Sequence, residues 1–328
     1  MVIKGQATVV KHTGSHYMLS CLPQWDLFPA VLRGKIRLKG SNATNPVAVG
    51  DIVNYEAEVA EGQGLESIGL ENPAAITSVE PRRNYIIRKS TNLSRQSHII
   101  AANLDRAFLV VTLDFPQVKL QFLDRLLVTC EVYNVPAVIV LNKCDLYGPE
   151  HEDMRAAFHE IYEGAGYPVV EVSAHTGEGV DELRKMLGGN VSLFSGVSGV
   201  GKSSLIKALD PSLDPKVGEI SDAHEQGRHT TTFYEMYKVN MDSDSEEASG
   251  FIVDTPGLRG FGLVDLKKEE IALYFPEMLR VSDECRFAPC THTHEPGCAV
   301  KEAVENGEIS YDRYSSYLGM LDEEGKYR

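Results

Sequence analysis

Hydrophobic positions follow two different rhythms along this chain, and the change falls near residue 105. Up to about residue 80, short β-rich runs (Gln6–Lys11, Tyr17–Cys21, Lys35–Leu38, Ile52–Val59) alternate with Gly, Pro and Asn. Several short strands separated by turn residues predict a small barrel or sandwich. Beyond residue 105, Arg106–Leu113 and Pro136–Leu141 are unbroken apolar, β-branched runs, the pattern of strands covered on both faces. Between them, Leu120–Tyr133 has helical spacing that puts Phe122, Leu123, Leu126 and Leu127 on one side. Met154–Tyr162, Pro168–Val172, Val180–Leu187 and Asn190–Phe194 continue the alternation of helix and strand. That alternation predicts a doubly wound parallel sheet, whose ligands lie beyond the carboxyl ends of its strands. After about residue 265 the chain turns mixed and polar, and the acidic run Asp242–Glu247 reads as a solvated loop.

Composition changes the picture only modestly. With 328 residues, 43% hydrophobic and 24% charged, the chain is globular and long enough for two or three domains. No stretch resembles a membrane span, Met1-Val2-Ile3-Lys4-Gly5 opens no signal peptide, and a cytoplasmic monomer is expected. The net charge of −15 argues at first sight against a polyanionic partner. Of six cysteines, Cys21, Cys130 and Cys144 stand alone, whereas Cys285, Cys290 and Cys298 cluster.

Candidate chemistry begins at residue 190. Asn190–Ser204 reads as an apolar strand, then Gly196-Val197-Ser198-Gly199-Val200-Gly201-Lys202-Ser203-Ser204, then the helical run Leu205–Leu209. A G-x-x-x-x-G-K-S segment between strand and helix is a phosphate cradle: its glycines let backbone N–H groups turn inward, and the helix presents its positive end. Lys202 is expected to reach the β- and γ-phosphates, and the Ser203 hydroxyl to ligate magnesium. Strand Pro136–Leu141 ends in Asn142-Lys143-Cys144-Asp145, which matches the N-K-x-D motif of GTPases. The Asp145 carboxylate can accept hydrogen bonds from guanine N1–H and the 2-amino group, donors that adenine lacks there. Lys143 is expected along the base plane, and Asn142 as a brace. Ser173-Ala174-His175-Thr176-Gly177 fits the companion S-A-x-x-G element, with the Ser173–Ala174 backbone near guanine O6. Phe251–Gly257 is a strand ending in D-x-x-G, in which Asp254 holds magnesium through water and Gly257 N–H senses the γ-phosphate.

The order of these motifs is unusual. The base-reading elements precede the cradle, whereas ordinary GTPases place the cradle first. All of them sit on loops at one end of a sheet, so the chain can be cut and rejoined elsewhere without moving them. A circularly permuted GTPase is the consequence. Leu258 stands where Ras-type enzymes carry a water-orienting glutamine. His229, in Gly227-Arg228-His229-Thr230-Thr231-Thr232, is the candidate to replace it, and Thr231 the candidate switch ligand of magnesium. A rival reading is an RNA-binding module with a weakly catalytic GTP site, which Leu258 favours; an ATP-using enzyme is disfavoured by Asp145.

Cys285-x₄-Cys290-x-His292-x₅-Cys298 offers three thiolates and an imidazole, the donor set of a closed structural zinc site. His294 competes on sequence with His292.

Across nearly its full length the chain resembles the RsgA (YjeQ) family. Arg33-Gly34-Lys35 with Val49-Gly50-Asp51, NKCD, SAHTG, GVSGVGKSS, GRHTTT, DTPGLRGFGL and the cysteine–histidine cluster carry the resemblance. It implies a multidomain protein: an N-terminal OB-fold β-barrel (1–80), a central circularly permuted α/β P-loop GTPase (81–264) and a C-terminal zinc-binding helical domain (265–328). It also implies GTP hydrolysis to GDP, stimulated by the small ribosomal subunit during its late maturation, with contacts to rRNA. Residues 1–49 hold six basic side chains (Lys4, Lys11, Arg33, Lys35, Arg37, Lys39) against the single acid Asp26. Arg82, Arg83, Arg88, Lys89 and Arg95 form a second basic stretch, and Tyr17, Trp25 and Phe28 are candidates either to stack on RNA bases or, for one or more of them, to fill the barrel.

Overall fold

The computed structural model describes residues 1–34, 47–89, 97–213, 234–240, 249–254 and 266–324. Strands β1 (Val2–Thr13), β2 (His16–Ser20), β3 (Leu27–Leu32), β4 (Ile52–Glu58) and β5 (Ala74–Val79) close on one another. β1 pairs antiparallel with both β2 and β4, β2 with β3, β3 runs parallel to β5, and β5 returns to β4. This five-stranded closure is the OB-fold barrel expected from the resemblance. Alternation explains why it closes. Along β4, Val53, Tyr55 and Ala57 point inward, joining Val9, Leu19, Phe28 and Ile76 in the core. β3 was not predicted, because Pro29 lacks a ladder donor and demotes its run. The predicted strand Lys35–Leu38 lies outside the described residues.

A two-stranded ribbon, β6 (Tyr85–Lys89) with β7 (Ser97–Ala102), follows the barrel. Then come β8 (Arg106–Val111), α1 (Leu120–Val132), β9 (Ala137–Asn142), α2 (Glu152–Ala165), β10 (Val169–Val172), α3 (Val180–Leu187), β11 (Val191–Ser195), α4 (Lys202–Leu209), β12 (Glu235–Val239) and β13 (Gly250–Asp254). Their sheet runs β10-β9-β8-β11-β13-β12, parallel except for β12. Phe108, Val110, Leu109 and Ile139 are completely or almost completely buried, as strands covered on both faces require. β8 leads through α1 to β9 on one side, whereas β11 leads towards β13 and β12 on the other. The switch in direction therefore falls between β8 and β11.

The barrel is not a separate bead. β1 is long enough to leave the barrel and pair with β12 at Lys11↔Glu235, which joins both units into one eleven-stranded sheet. Trp25 stacks on Phe251 across this junction with centroids 5.6 Å apart.

The C-terminal region is helical: α5 (Lys268–Ile271), α6 (Pro276–Ser282), α7 (Ala299–Glu305) and α8 (Tyr311–Glu324). Its core of Ile271, Phe275, Met278, Val300 and Tyr317 also takes in Val128 of α1. Helix α1 was expected to bury one stripe. It buries Leu123, Leu126, Leu127 and Cys130 towards the sheet, while Asp124 meets the C-terminal helices on another face. Among the described residues, no helix is long and apolar enough to cross a membrane.

Candidate functional site

Each motif within the described residues emerges where a parallel strand ends. β9 delivers Asn142, Lys143, Cys144 and Asp145; β10 delivers Ser173 and Ala174; β11 delivers Gly196 to Gly201; and β13 ends on Asp254. Register aligns Phe194 with Asp254, which sets the acid of one strand beside the origin of the cradle on the next.

Two glycines of the cradle are dictated by space. A Cβ on Gly196 would lie 2.2 Å from the Val110 carbonyl oxygen, inside the neighbouring strand. Gly201 has φ +93°, and a Cβ there would sit 2.5 Å from Asn142 Nδ2. The loop then enters α4 at Lys202 and Ser203. Lys202 Nζ bends back across the cradle and donates to the carbonyl oxygens of Gly196 (2.7 Å) and Val197 (2.9 Å). Burial holds this ammonium below its usual pKa, with the Asp254 carboxylate pulling the other way. Val200 is buried under the loop, whereas Ser198, Gly199 and Ser204 are exposed.

Asn142 is the hub. Its amide nitrogen donates to Val200 O of the cradle (2.8 Å), and its amide oxygen accepts from Ala174 N–H (3.2 Å). One buried side chain thus joins the base-reading loop, its companion loop and the phosphate loop. Ser173 Oγ donates to Asp145 Oδ1 and accepts the N–H groups of His175 and Thr176, which fixes one carboxylate oxygen. Asp145 itself is exposed at the strand end. Lys143, in the left-handed region at φ +66°, donates from Nζ to Gly199 O (2.8 Å) and to Phe115 O. Cys144 is buried beneath, its thiol pushed up to about 11 by desolvation, so it serves as packing. The geometry fits one nucleoside triphosphate, with a carboxylate at the base end and an ammonium at the phosphate end. Magnesium would find oxygen donors suited to a hard cation in the Ser203 hydroxyl and the Asp254 carboxylate. His229, Thr231, Gly257 and Leu258 lie outside the described residues.

Sequence reasoning missed Tyr147. Its buried hydroxyl donates to Asn142 O (2.8 Å) and accepts Leu113 N–H (2.9 Å), tying the end of β8 to the base motif. Nothing in the spacing announces this tyrosine; only its position soon after the motif hints at it.

The second cluster converges as expected. The ligand atoms of Cys285, Cys290, His292 and Cys298 all lie within 4.8 Å of one another. Cys285 Sγ is 3.9 Å from Cys298 Sγ and 3.7 Å from His292 Nδ1, which is 3.3 Å from Cys298 Sγ. A tetrahedron with zinc–sulfur bonds of about 2.3 Å has edges of about 3.8 Å, so the donors fit zinc, and all three cysteines are free thiols. Burial and neighbouring thiols push Cys290 up to about 12, so three thiolates need a cation to coexist here. His292 turns inward at φ +54°, while His294 is exposed and hydrogen-bonds Thr293 Oγ1. Tyr317 and Tyr314 of α8 donate to the carbonyls of Thr291 and His292, pinning the knuckle from outside. Chelation is expected to remove one zinc per chain and to raise hydrogen exchange in 285–298, with less than a twofold change in nucleotide affinity. Mass spectrometry with a fluorescent GDP titration checks this, and loss of both together would refute a purely structural metal.

The expected RNA surface needs correction. Tyr17 and Phe28 fill the barrel core, and Trp25 is committed to Phe251, so none is a free platform. Arg82 makes a two-pronged pair with fully buried Asp51 (2.6 and 2.7 Å), and Arg83 pairs with Asp105 (2.6 Å). Arg82 holds the connection to the barrel, because a buried carboxylate demands a partner, whereas the more exposed Arg83 pair lies within the segment that follows it. Lys35, Arg37, Lys39 and Arg95 lie outside the described residues.

Comparison with known proteins gives consistent likenesses. A family model described as RsgA GTPase matches residues 79–264. The chain is 48% identical over 322 residues to small ribosomal subunit biogenesis GTPase RsgA 2 of Bacteroides thetaiotaomicron, covering 98% of each. It is equally similar to the RsgA of Bacteroides fragilis, at 48% identity and 98% of each chain. Among solved structures it resembles YjeQ from Thermotoga maritima (TM-score 0.77, 33% identity, 99% of this chain and 100% of that one). It also resembles YloQ, described as a circularly permuted GTPase (TM-score 0.72, 25% identity, 99% and 96%).

Proposed function

The chain belongs to the RsgA GTPase family, GTP hydrolases with a circularly permuted nucleotide domain, and on that premise we propose how its own residues work. The observation that carries the proposal is the Asn142 hub. A single amide holds base-reading and phosphate-reading loops in one frame, so a bound nucleotide meets both at once. Asp145 reads guanine, Lys143 lies along the base, and the Ser173–Ala174 backbone faces guanine O6. The cradle Gly196–Ser204 wraps the phosphates, Lys202 neutralises the β- and γ-oxygens, and Gly257 senses the γ-phosphate. Ser203, Thr231 and Asp254 would hold magnesium, which would supply charge neutralisation on the phosphate oxygens. Water attacks the γ-phosphorus as its bond to the β–γ bridging oxygen breaks, so GDP leaves and the phosphoryl group departs as inorganic phosphate carrying the water's oxygen and proton. Leu258 cannot orient that water, so His229 takes the task. Cys285, Cys290, His292 and Cys298 hold one structural zinc, in a C-terminal unit of residues 265–328 that follows a barrel of 1–80 and a GTPase unit of 81–264.

The partner is the small ribosomal subunit; the relatives are described as GTPases of small ribosomal subunit biogenesis, which supports that reading. The chain acts as a cytoplasmic monomer in late subunit maturation. Its contact with rRNA is electrostatic on the barrel. Lys4 and Arg33 share Glu56 at 2.6 Å, and both basic side chains are largely exposed. Exposed pairs of this kind are screened by water and contribute little, so an RNA phosphate can displace the carboxylate.

Phosphate release measured with and without added small subunits tests the reading. Turnover is expected to rise at least tenfold with subunits, and His229→Ala should keep GDP affinity but lose most of that rise. Turnover indifferent to subunits would favour a nucleotide-sensing RNA-binding module instead, and full activity in His229→Ala would remove the histidine from the chemistry.

A further inference from the structure

The loop after β8, residues 112–118, belongs to none of the motifs, yet it occupies the position where an open α/β sheet binds ligands. β8 and β11 are neighbours whose onward connections run to opposite sides, and the crevice beyond their carboxyl ends is the topological switch point. The cradle fills the β11 side of that crevice. The 112–118 loop fills the β8 side.

This loop is fastened to the nucleotide motifs at three places. Lys143 Nζ donates to Phe115 O as well as to Gly199 O of the cradle. A Cβ on Gly199 would meet Pro116 Cδ at 3.4 Å, so the Pro116 ring abuts the cradle backbone. Tyr147 links Leu113 N–H to Asn142 O. The loop is also closed on itself, with Thr112 Oγ1 donating to Pro116 O (2.6 Å) and Val118 N–H to Thr112 O (3.2 Å). At its tip, Phe115 has φ +59°, a left-handed conformation that is costly for a bulky side chain, and 55% of the residue is exposed. A large apolar residue is thus held in strained backbone, its carbonyl bonded by the lysine assigned to the base and its ring outside any described core cluster. The aromatic rings of Phe108 and Phe194, by contrast, pack into the interior of the sheet.

We propose that the Phe115 ring is the aromatic wall of the nucleoside pocket, stacking on the purine of a bound guanine nucleotide next to Lys143. The inference rests on the nucleotide reading given above. Every purine has a π-face, so Phe115 adds affinity for the nucleoside without reading its edge; Asp145 remains the group that distinguishes guanine.

Calorimetric titration of the full-length protein with GDP, IDP and pyrophosphate tests this. Phe115→Ala is expected to weaken GDP and IDP alike, by about tenfold each, the size of one base–aromatic stack, while pyrophosphate affinity changes less than twofold. Phe115→Trp should bind GDP within threefold of the parent, and its indole emission should change when GDP is added. GDP affinity within twofold of the parent in Phe115→Ala would overturn the proposal. So would equal loss of GDP and pyrophosphate affinity, which would make the residue a support of the loop rather than a wall. Asp145→Asn in the same titration separates the two readings: if it loses GDP while Phe115→Ala does not, the wall is wrong and the guanine site stands. If neither variant loses GDP, the site itself is misplaced.

Discussion

Replacing Arg313 with alanine should cost about 3–5 kcal/mol of stability, because it strands two carboxylates in the interior. Arg313 lies on α8 and is 1% exposed. Its Nη1 pairs with Asp124 Oδ1 of α1 at 2.7 Å, and its Nε and Nη2 grip Glu277 of α6 at 2.8 and 3.2 Å. The guanidinium also lies 4.6 Å over the Phe275 ring, and Tyr162 donates to the same Asp124 oxygen. Two flanking carboxylates hold Arg313 firmly charged, while burial pushes the Asp124 carboxyl up despite its partner. Loss of the cation leaves Asp124 to neutralise itself and Glu277 without its fork. Arg313→Lys should recover only part of the loss, since one ammonium cannot serve two carboxylates in this geometry. Denaturant titration followed by hydrogen exchange on α8 checks both variants. A midpoint shift worth less than about 1 kcal/mol would show that the pair merely offsets its own desolvation. The consequence for function is mechanical. This arginine couples the C-terminal helical region to the helix that follows the 112–118 loop, and the two sides share a cavity of about 480 Å³ lined by Leu113, Val118, Phe158, Ser315 and Ser316.

Asp145→Asn is expected to lower GTP affinity by roughly 10²–10⁴-fold, from the loss of two charge-assisted hydrogen bonds at about 1.5–3 kcal/mol each. The amide can donate to the 2-oxo group of xanthine, so XTP should be accepted in place of GTP. Ser173 holds one oxygen of Asp145, so the replacing amide is steered into the same orientation. Competition of GTP and XTP for a fluorescent nucleotide gives the ratio directly. A variant that kept its preference for GTP would mean that the base is read elsewhere.

The nucleotide motifs were legible because their chemistry is local. Gly196 to Ser203 form one loop, and the lysine, hydroxyl and glycines act within a few residues of one another. The same holds for the cysteine–histidine cluster, which spans fourteen residues from Cys285 to Cys298. The barrel was legible as β structure but not in detail. Pro29 hid β3, and no pattern of alternation marks β1 as the strand that also reaches β12. Aromatic residues were left undecided. Tyr17, Trp25 and Phe28 could equally fill a core or face RNA, and only the closure of β1 on β2 and β4 placed two of them inside.

Two kinds of information are thus divided between chain and fold. Residue order by itself pointed to a GTPase with a permuted arrangement and to a metal donor set, since each depends on spacing along a loop or strand end. The tertiary structure alone decided that Asn142 joins three loops, that Phe115 stands beside Lys143, that Arg82 serves a buried aspartate, and that Arg313 meets Asp124 from 189 residues away. Such pairs leave no periodicity behind. A charged residue on a helix looks the same in sequence whether it faces water or a buried partner, and burial, which sets its energy, comes into being only when distant elements pack.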